Sequence, residues 1–524
     1  MGIYLNPGNE NYREILAGRV YVDKTGMLSV LNQFIDGGNK YICISRPRRF
    51  GKTIAGNMLA AYYSKGCDSR ELFAGLKIAG TPGYIEKLNK YNVIQIDLNS
   101  EYQNTMVKSE LLRRLTRKIK AEMEKQFPEI RLDENDTLAE GILKIHEATG
   151  ETFIIILDEY DVLVREQADQ TLFSEFLSFL NGLFKSNTLR PAISLAYLTG
   201  ILPIVRDKIQ SKLNNFEEYT ILDAAELSEY VGFTAEEVEN LCEEYGMDYT
   251  ECRRWYDGYH LGGYEIYNPE SVVKSMLRKS YGSYWGKTSS YEVITDRITQ
   301  NFAGTKECVV RMLAGENISM DPGMYLNTME SFRNRDDLFT YLCHVGYLAY
   351  DKASGTCSIP NGEVRQEWIR AVSVTEDYEV TNQIIQSSKE LLEKTLKGDA
   401  EAVAEALNVS HIHVTSNRSY NNEDALQSAI YLAYLYALNK YTVIKEMTTG
   451  KGFADVVFIP YVPDIPAMII ELKHNKTAES ALCQIKEKKY FDSLSHYSGK
   501  LLFVGIDYDE KEKTHSCSME MFEK

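Results

Sequence analysis

The stretch YICISRPRRFGKT, residues 41–53, is a short β-branched run, then a basic loop that closes on Gly51-Lys52-Thr53. A strand, a tight loop and a helix that opens with Gly-Lys-Thr is an arrangement in which backbone amides and one lysine surround phosphate groups. Arg46, Pro47, Arg48, Arg49, Phe50 and Gly51 would form the nucleotide-facing loop. Lys52 would contact the β- and γ-phosphates, and Thr53 would hold Mg²⁺. The pattern GxxxxGK[ST] asks for glycine where this chain has Arg46. Taken alone, a Gly-Lys-Thr after basic residues is also compatible with a solvated turn.

A second motif, IIILDE at 154–159, changes the weight of the first. A hydrophobic run ending in Asp158-Glu159 suits a strand that delivers one carboxylate to Mg²⁺ and a second to the attacking water, which Glu159 would polarise. By itself an Asp-Glu after a buried strand is a common surface turn; order and strand context together favour the nucleotide site. ISLAYLTG (193–200) ends in Thr199-Gly200, compatible with a γ-phosphate sensor and with plain turn chemistry. Arg206 just beyond it, and Arg46, Arg48 and Arg49, are candidates for contact with phosphates, and the loop arginines also for a neighbouring chain.

Outward from these motifs, YICIS (41–45), VIQIDL (93–98), FIIILDE (153–159) and ISLAYLTG read as strands. Segments of helical spacing separate them, such as ELLRRLTRKIKAEMEKQF at 110–127. This alternation predicts an α/β fold over residues 1–215, a parallel sheet with helices on both faces. Residues 216–376 are helical and acidic, with a Thr-Ala-Glu-Glu helix start at 234–237 and an aromatic, glycine-rich WYDGYHLGGYEIYNP at 255–269. A helix followed by a small hairpin at 336–361 suggests a lid or a winged-helix-like subdomain. Residues 377–410 read as connecting helices.

A chain of 524 residues exceeds one ordinary core, and its 44% hydrophobic and 25% charged content is that of globular domains. A net charge of −17 excludes a protein coated in basic surface, so nucleic acid would need a local positive groove. Nine scattered cysteines without a CxxC pair read as reduced thiols. No signal-peptide pattern opens the chain, and runs such as FIIIL (153–157) are far shorter than a membrane span. The expectation is a soluble cytoplasmic protein with no membrane segment.

In residues 411–524 the expected order is helix (423–439), strands YTVIKEM (441–447), FADVVFI (453–459) and AMIIELK (467–473), helix (477–494) and strand KLLFVGI (500–506). Asp455 lies on one strand, with Glu471 and Lys473 on the next. Residues i and i+2 of a strand share a face, so Glu471 and Lys473 are neighbours, and an adjacent strand can bring Asp455 beside them. Metal-dependent phosphodiester cleavage needs acidic ligands on rigid strands with a cation near the attacking water. Asp455 and Glu471 are thus candidate ligands for Mg²⁺ or Mn²⁺, and Lys473 the candidate cation. Glu423 and Glu446 could complete the shell, and Gln484 could face the same pocket. A solvated strand edge with an ion pair fits the same pattern. Residues 471–490 hold five lysines against three glutamates, permissive for nucleic-acid backbone contact.

YVDKT (21–25), RPRRFGKT, IIILDEYD (154–161), LTGI (198–201), FTAEEV (233–238), WYDGY (255–259) and IPN (359–361) occur in an order that resembles the bacterial AAA-ATPase-like proteins. That family pairs a divergent P-loop ATPase region with a PD-(D/E)XK nuclease-superfamily domain, and it carries arginine where the first P-loop glycine would stand. The resemblance implies ATP and Mg²⁺ binding by Gly51, Lys52, Thr53 and Asp158. It also implies an αβββαβ restriction-endonuclease-like core whose motif is Asp455, Glu471 and Lys473. Many such domains have arginine two residues before the first motif aspartate; here that residue is Phe453. The expected function is ATP binding and hydrolysis that controls a metal-dependent nuclease acting on nucleic acid, in a chain able to form an oligomer. The alternative is a nucleotide-switched scaffold whose nuclease-fold domain is inactive.

Overall fold

The computed structural model describes all residues except 1, 205, 208–209, 212, 286–291, 301, 314, 326–331, 375–378, 415–425, 427–429, 432, 450–451, 461–463, 489, 491–496, 498 and 523–524. The chain divides into two compact units: Met1–Tyr284 with Ser319–Asn361, and Trp285–Ile318 with Gly362–Lys524. Residues 216–376 are therefore divided between the two.

In the first unit, Tyr41–Ser45 (β1), Asn92–Asp97 (β2), Phe153–Asp158 (β3), Ile193–Gly200 (β4) and Glu217–Tyr219 (β5) form one sheet in the order β2-β3-β4-β1-β5. Every neighbouring pair is parallel. Parallel neighbours cannot be joined by a tight turn, so helices cross between them. Lys52–Tyr63 (α1) follows β1, Leu111–Gln126 (α2) and Leu138–Thr149 (α3) separate β2 from β3, and Gln170–Phe184 (α4) separates β3 from β4. Strands β1, β3 and β4 are buried along their whole length, which is why they read as continuous apolar runs. Phe153, Ile155 and Leu157 join the core formed with α2, α3 and α4. Ile156 points the other way, towards Gly56 of α1. The α/β sheet with both faces covered is thus as the sequence predicts. Strand β5 was not foreseen, because Glu217-Glu218-Tyr219 is too short and too acidic to stand out from a loop.

Local signals place the helices. In α2, Leu111, Leu115, Ile119 and Met123 recur every fourth residue and are buried. Thr137 and Glu140 close a capping box at the start of α3, and Gly150 ends it at φ +71°, each device contributing about 1 kcal/mol. The Thr-Ala-Glu-Glu start behaves likewise. Thr234 and Glu237 cap Ala235–Tyr245 (α5), which is followed by Tyr249–Tyr256 (α6). Tyr259–Leu261 (β6) and Tyr264–Tyr267 (β7) then pair as a hairpin, and Pro269–Arg278 (α7) follows. The expected helix and hairpin at 336–361 are Arg335–Val345 (α8) and the antiparallel pair Ala349–Asp351 with Thr356–Ser358, after which Gly362–Val374 (α9) follows in sequence.

WYDGY and IPN, distant in sequence, meet in this unit. Gly258 has φ +108°, and a Cβ there would lie 2.1 Å from the Pro360 carbonyl oxygen. The Asn361 amide donates to the Asp257 carbonyl at 2.8 Å. The glycine is required because another backbone crosses directly over it.

The second unit holds a mixed sheet of Tyr441–Thr449 (β8), Gly452–Pro460 (β9), Ala467–His474 (β10), Leu501–Asp509 (β11) and Thr514–Phe522 (β12), in that order. Only β10 and β11 are parallel, joined across Ala478–Glu487 (α10). These are the strands and second helix the sequence predicts; the first helix, 423–439, lies partly outside the described residues, and its end, Leu435–Asn439, is a 3₁₀ helix. Strand β12 is additional, hidden in the sequence because THSCSMEMF is exposed or half-buried at every residue but His515 and does not alternate cleanly. Side chains of β10 alternate between two cores. Met468, Ile470 and Leu472 pack with Leu391, Leu392, Val403 and Leu407, whereas Ala467 and Ile469 pack with Ile485 and Tyr490. Glu471 and Lys473 continue the second row, on the α10 side.

Gly505 is the register partner of Glu471, and a Cβ there would lie 2.2 Å from the Ala478 carbonyl oxygen. Its bare backbone lets α10 lie close against the sheet. Gly505→Val should force the helix away and destabilise the second unit by roughly 3 kcal/mol. Chemical denaturation of the full chain checks this, and an unchanged midpoint would contradict such close packing.

Candidate functional site

Because β4 lies between β1 and β3, the carboxyl ends of these three strands bring Lys52, Thr53, Asp158 and Thr199 together. Ser45 is level with Gly200, and Leu157 with Leu198. Two residues of the loop, Arg49 at φ +71° and Gly51 at φ +89°, adopt left-handed conformations, the kind of turn from which loop amides can face an anion. Lys52 Nζ donates to the carbonyls of Arg46 and Pro47, both at 2.9 Å, so the ammonium folds over its own loop. Burial lowers its pKa to about 8, against the opposing influence of Asp158, Asp161 and Glu159. Asp158 is buried, which raises its pKa; its carboxylate accepts from the hydroxyls of Thr199 and Thr53. Thr53 itself is exposed at the start of α1. An exposed hydroxyl beside a buried carboxylate is a donor set that fits Mg²⁺.

The arginines of the loop do different things. Arg46 is fully buried, and its Nη1 donates at 2.9 Å to the carbonyls of Ser45 and Tyr219, tying β1 to β5. Its amide donates to Gly200 at 3.1 Å. Burial lowers its pKa to about 10. The side chain that replaces the first loop glycine therefore serves the sheet, and would have to move to meet a phosphate. Arg49 pairs with Glu270 at 3.0 Å and donates to the Tyr284 carbonyl at 3.2 Å. Pro47 and Phe50 are buried, Phe50 edge-on to Tyr259 at 5.4 Å. Arg48 is exposed. The side chain of Arg206 lies outside the described residues.

Glu159 follows Asp158 in a left-handed conformation, φ +51°, with its amide donating to Asp158 Oδ1 at 3.0 Å. Its Oε2 accepts from Arg165 Nη2 at 2.5 Å. Arg165 Nε also lies 3.4 Å from Asp161 Oδ1. Asp161 is fully buried and accepts from the amides of Ile201 and Leu202 at 3.0 and 2.8 Å. Sequence reasoning passed over Asp161 and Arg165. The only signal was their i,i+4 spacing after the Asp-Glu pair, which many surface helices share.

In the second unit, pairing of β9 with β10 stops at Val456–Ile470, and the next residue, Asp455, turns its carboxylate to the Leu472 amide at 2.7 Å. Lys473 Nζ donates to Glu471 Oε1 at 2.9 Å and to the Leu472 carbonyl at 3.1 Å. Gln484, on α10, donates to the same Glu471 oxygen and lies 3.0 Å from the Tyr490 hydroxyl. Asp455, Glu471, Lys473 and Gln484 thus converge. The second Glu471 oxygen is buried without a hydrogen-bond partner among the described residues. A buried carboxylate oxygen of this kind near a second carboxylate is chemistry that a divalent cation would fit, and Asp455 and Glu471 are the residues that would hold it. Among the described residues no three His, Cys, Asp or Glu side chains cluster as a metal site. Glu423 and the side chain of Glu446 lie outside the described residues.

Residues 7–210 match the family model of predicted AAA-ATPases, and residues 421–517 match that of the PD-(D/E)XK nuclease superfamily. The chain thus carries an AAA-ATPase-like domain and a C-terminal PD-(D/E)XK nuclease-superfamily domain, and each converged set of residues lies within one matched span. A curated relative, described as an uncharacterized protein in the vnfD 5' region of Azotobacter chroococcum mcd 1, is 23% identical over 517 residues, covering 94% of this chain and 94% of that protein. Among solved structures, the Aeropyrum pernix ORC2 protein in ADPNP–ADP complexes aligns with 66% of this chain and 93% of its own, at 11% identity and a TM-score of 0.25. Among the described residues, no helix is long and apolar enough to cross a membrane.

Burial, together with the nearby Asp455 charge, pushes the Glu471 pKa up from 4.5 to about 7. As pH rises, the unfolded chain ionises this group first. The stability it contributes is therefore complete below pH 4.5 and is lost as pH rises through about 7. In the presence of a chelator, Glu471→Gln should reduce the stability lost between acid and neutral pH by roughly 2 kcal/mol. Denaturation midpoints across that range test this, and an identical pH dependence in the variant would refute it.

Proposed function

We propose that this chain binds and hydrolyses ATP in its first unit, and that nucleotide state controls a metal-dependent nuclease centre in its second unit. The observation that carries the reading is the convergence of Lys52, Thr53, Asp158 and Thr199 at the carboxyl ends of adjacent parallel strands, around a loop with two left-handed residues. In this reading Gly51 and the loop amides receive the phosphates, and Lys52 exchanges the Arg46 and Pro47 carbonyls for the β- and γ-phosphate oxygens. Thr53 and Asp158 hold Mg²⁺, which when bound neutralises phosphate charge. Glu159 takes the proton side of the attacking water, and Thr199, already bonded to Asp158, reports the γ-phosphate. Arg48 is the exposed loop arginine best placed to meet phosphate or a neighbouring subunit.

At the second centre, Asp455 and Glu471 would hold Mg²⁺ or Mn²⁺, which when bound polarises a phosphodiester and lowers the pKa of water. Lys473, anchored to Glu471, orients the attacking water, and Gln484 holds Glu471 in place. Nucleic acid is the substrate class this chemistry supports. Nine scattered cysteines without a CxxC pair support a reducing, cytoplasmic setting.

Lys52→Ala should abolish ATP turnover, and hydrolysis at the wild-type rate would overturn the loop assignment. Asp455→Ala and Glu471→Ala should abolish cleavage of single- and double-stranded DNA and RNA by the full chain with Mg²⁺ or Mn²⁺. A wild type that cleaves none of them in any nucleotide state would favour the scaffold reading instead. Phosphate binding should also re-protonate Lys52, whose pKa is lowered to about 8. ATP binding measured by calorimetry near pH 8.5 should therefore take up a fraction of a proton. Equal heats in buffers of different ionisation enthalpy would count against contact with Lys52.

A further inference from the structure

We propose that Arg165 is a positioning residue that holds Glu159 away from the attacking water until nucleotide is bound; this rests on reading Glu159 as the residue that polarises that water. The geometry separates a fixed partner from a mobile one. Asp161 has no exposed side-chain surface and is tied by the amides of Ile201 and Leu202 to the chain leaving β4. Glu159 is 30% exposed, and its carboxylate has one contact with Arg165, at 2.5 Å. Arg165, 12% exposed, sits between the two carboxylates. When Glu159 leaves, Arg165 keeps Asp161 as counter-ion, so release strands no buried charge. A carboxylate oxygen engaged by a guanidinium is already occupied and is not offered to a water.

The surroundings give nucleotide a means to release it. Glu159 is adjacent in sequence to Asp158, which bonds Thr53 and Thr199, the two hydroxyls nearest the expected phosphate end. The Tyr160 amide donates to the Thr199 carbonyl at 3.0 Å, so the backbone on both sides of Glu159 is tied to the same strand ends. Repartnering of Thr53 and Asp158 would pull directly on the left-handed turn at Glu159. In the resting arrangement, Lys52 is satisfied by its own loop and Glu159 by Arg165.

The test is steady-state ATP turnover by the full chain, comparing wild type, Arg165→Gln, Arg165→Lys and Glu159→Gln. Arg165→Gln can still hydrogen-bond Asp161 but cannot form the ion pair with Glu159. It should raise kcat about tenfold with KM changed less than about twofold. Arg165→Lys, which restores a charge, should return turnover towards wild type. A merely structural role would lower kcat and weaken binding of a non-hydrolysable ATP analogue, a result that overturns the proposal, as does an unchanged kcat. Glu159→Gln should be inactive while still binding that analogue. If it turns over ATP normally, the reading of Glu159 fails and the latch with it; if it is dead and Arg165→Gln is not faster, the latch alone fails.

Discussion

Strand Ile193–Gly200 hydrogen-bonds along both edges, to Tyr41–Ser45 on one side and Phe153–Asp158 on the other. The geometry of the first site depends on that insertion. Three parallel strands in register end at the same level, so a loop, a carboxylate and a hydroxyl from sequence positions about 40 to 150 residues apart are delivered to one place. Parallel pairing also requires helical crossovers, and these cover both sheet faces and make the strand ends a buried floor. A site on such a floor needs little reorganisation when a charged ligand arrives.

The same floor is where the charged groups are buried, and each has found an internal partner. Lys52 is held by its own loop, Asp158 by two hydroxyls, Asp161 by two backbone amides, and Arg46 by two carbonyls. A buried ion without such partners would cost several kcal/mol. The departure of this loop from the common glycine pattern follows the same logic. Arg46 is retained as a strut from β1 to β5, a task glycine cannot perform, while the left-handed turns fall at Arg49 and Gly51 instead.

In the second unit the ruling constraint is the close approach of α10 to β11 at Gly505. It brings Gln484 over β10, where strand periodicity has already put Glu471 and Lys473 on one face. Just past the end of the β9–β10 pairing, Asp455 accepts the Leu472 amide. Together these group two carboxylates, a lysine and an amide, with one Glu471 oxygen that has no hydrogen-bond partner among the described residues. That oxygen distinguishes the cluster from a solvated ion pair at a strand edge, because an exposed pair would have water for every lone pair.

Sequence alone determined the strands, since burial on both faces demands uninterrupted apolar runs such as FIIIL and ISLAYL. It also marked helix starts, where Thr234 and Thr137 cap free amides, and the polar residues at strand ends that carry the proposed chemistry. It missed β5, β12 and the β6–β7 hairpin, whose short or exposed sequences have no periodic signature. Only the tertiary structure decided what each polar residue faces. Arg46 turned inward to β5, Arg49 to Glu270, Glu159 to Arg165, and WYDGY met IPN at Gly258. These partners lie on separate elements or across a loop, and spacing along a chain carries no information about which buried charge will be nearest once distant strands have paired.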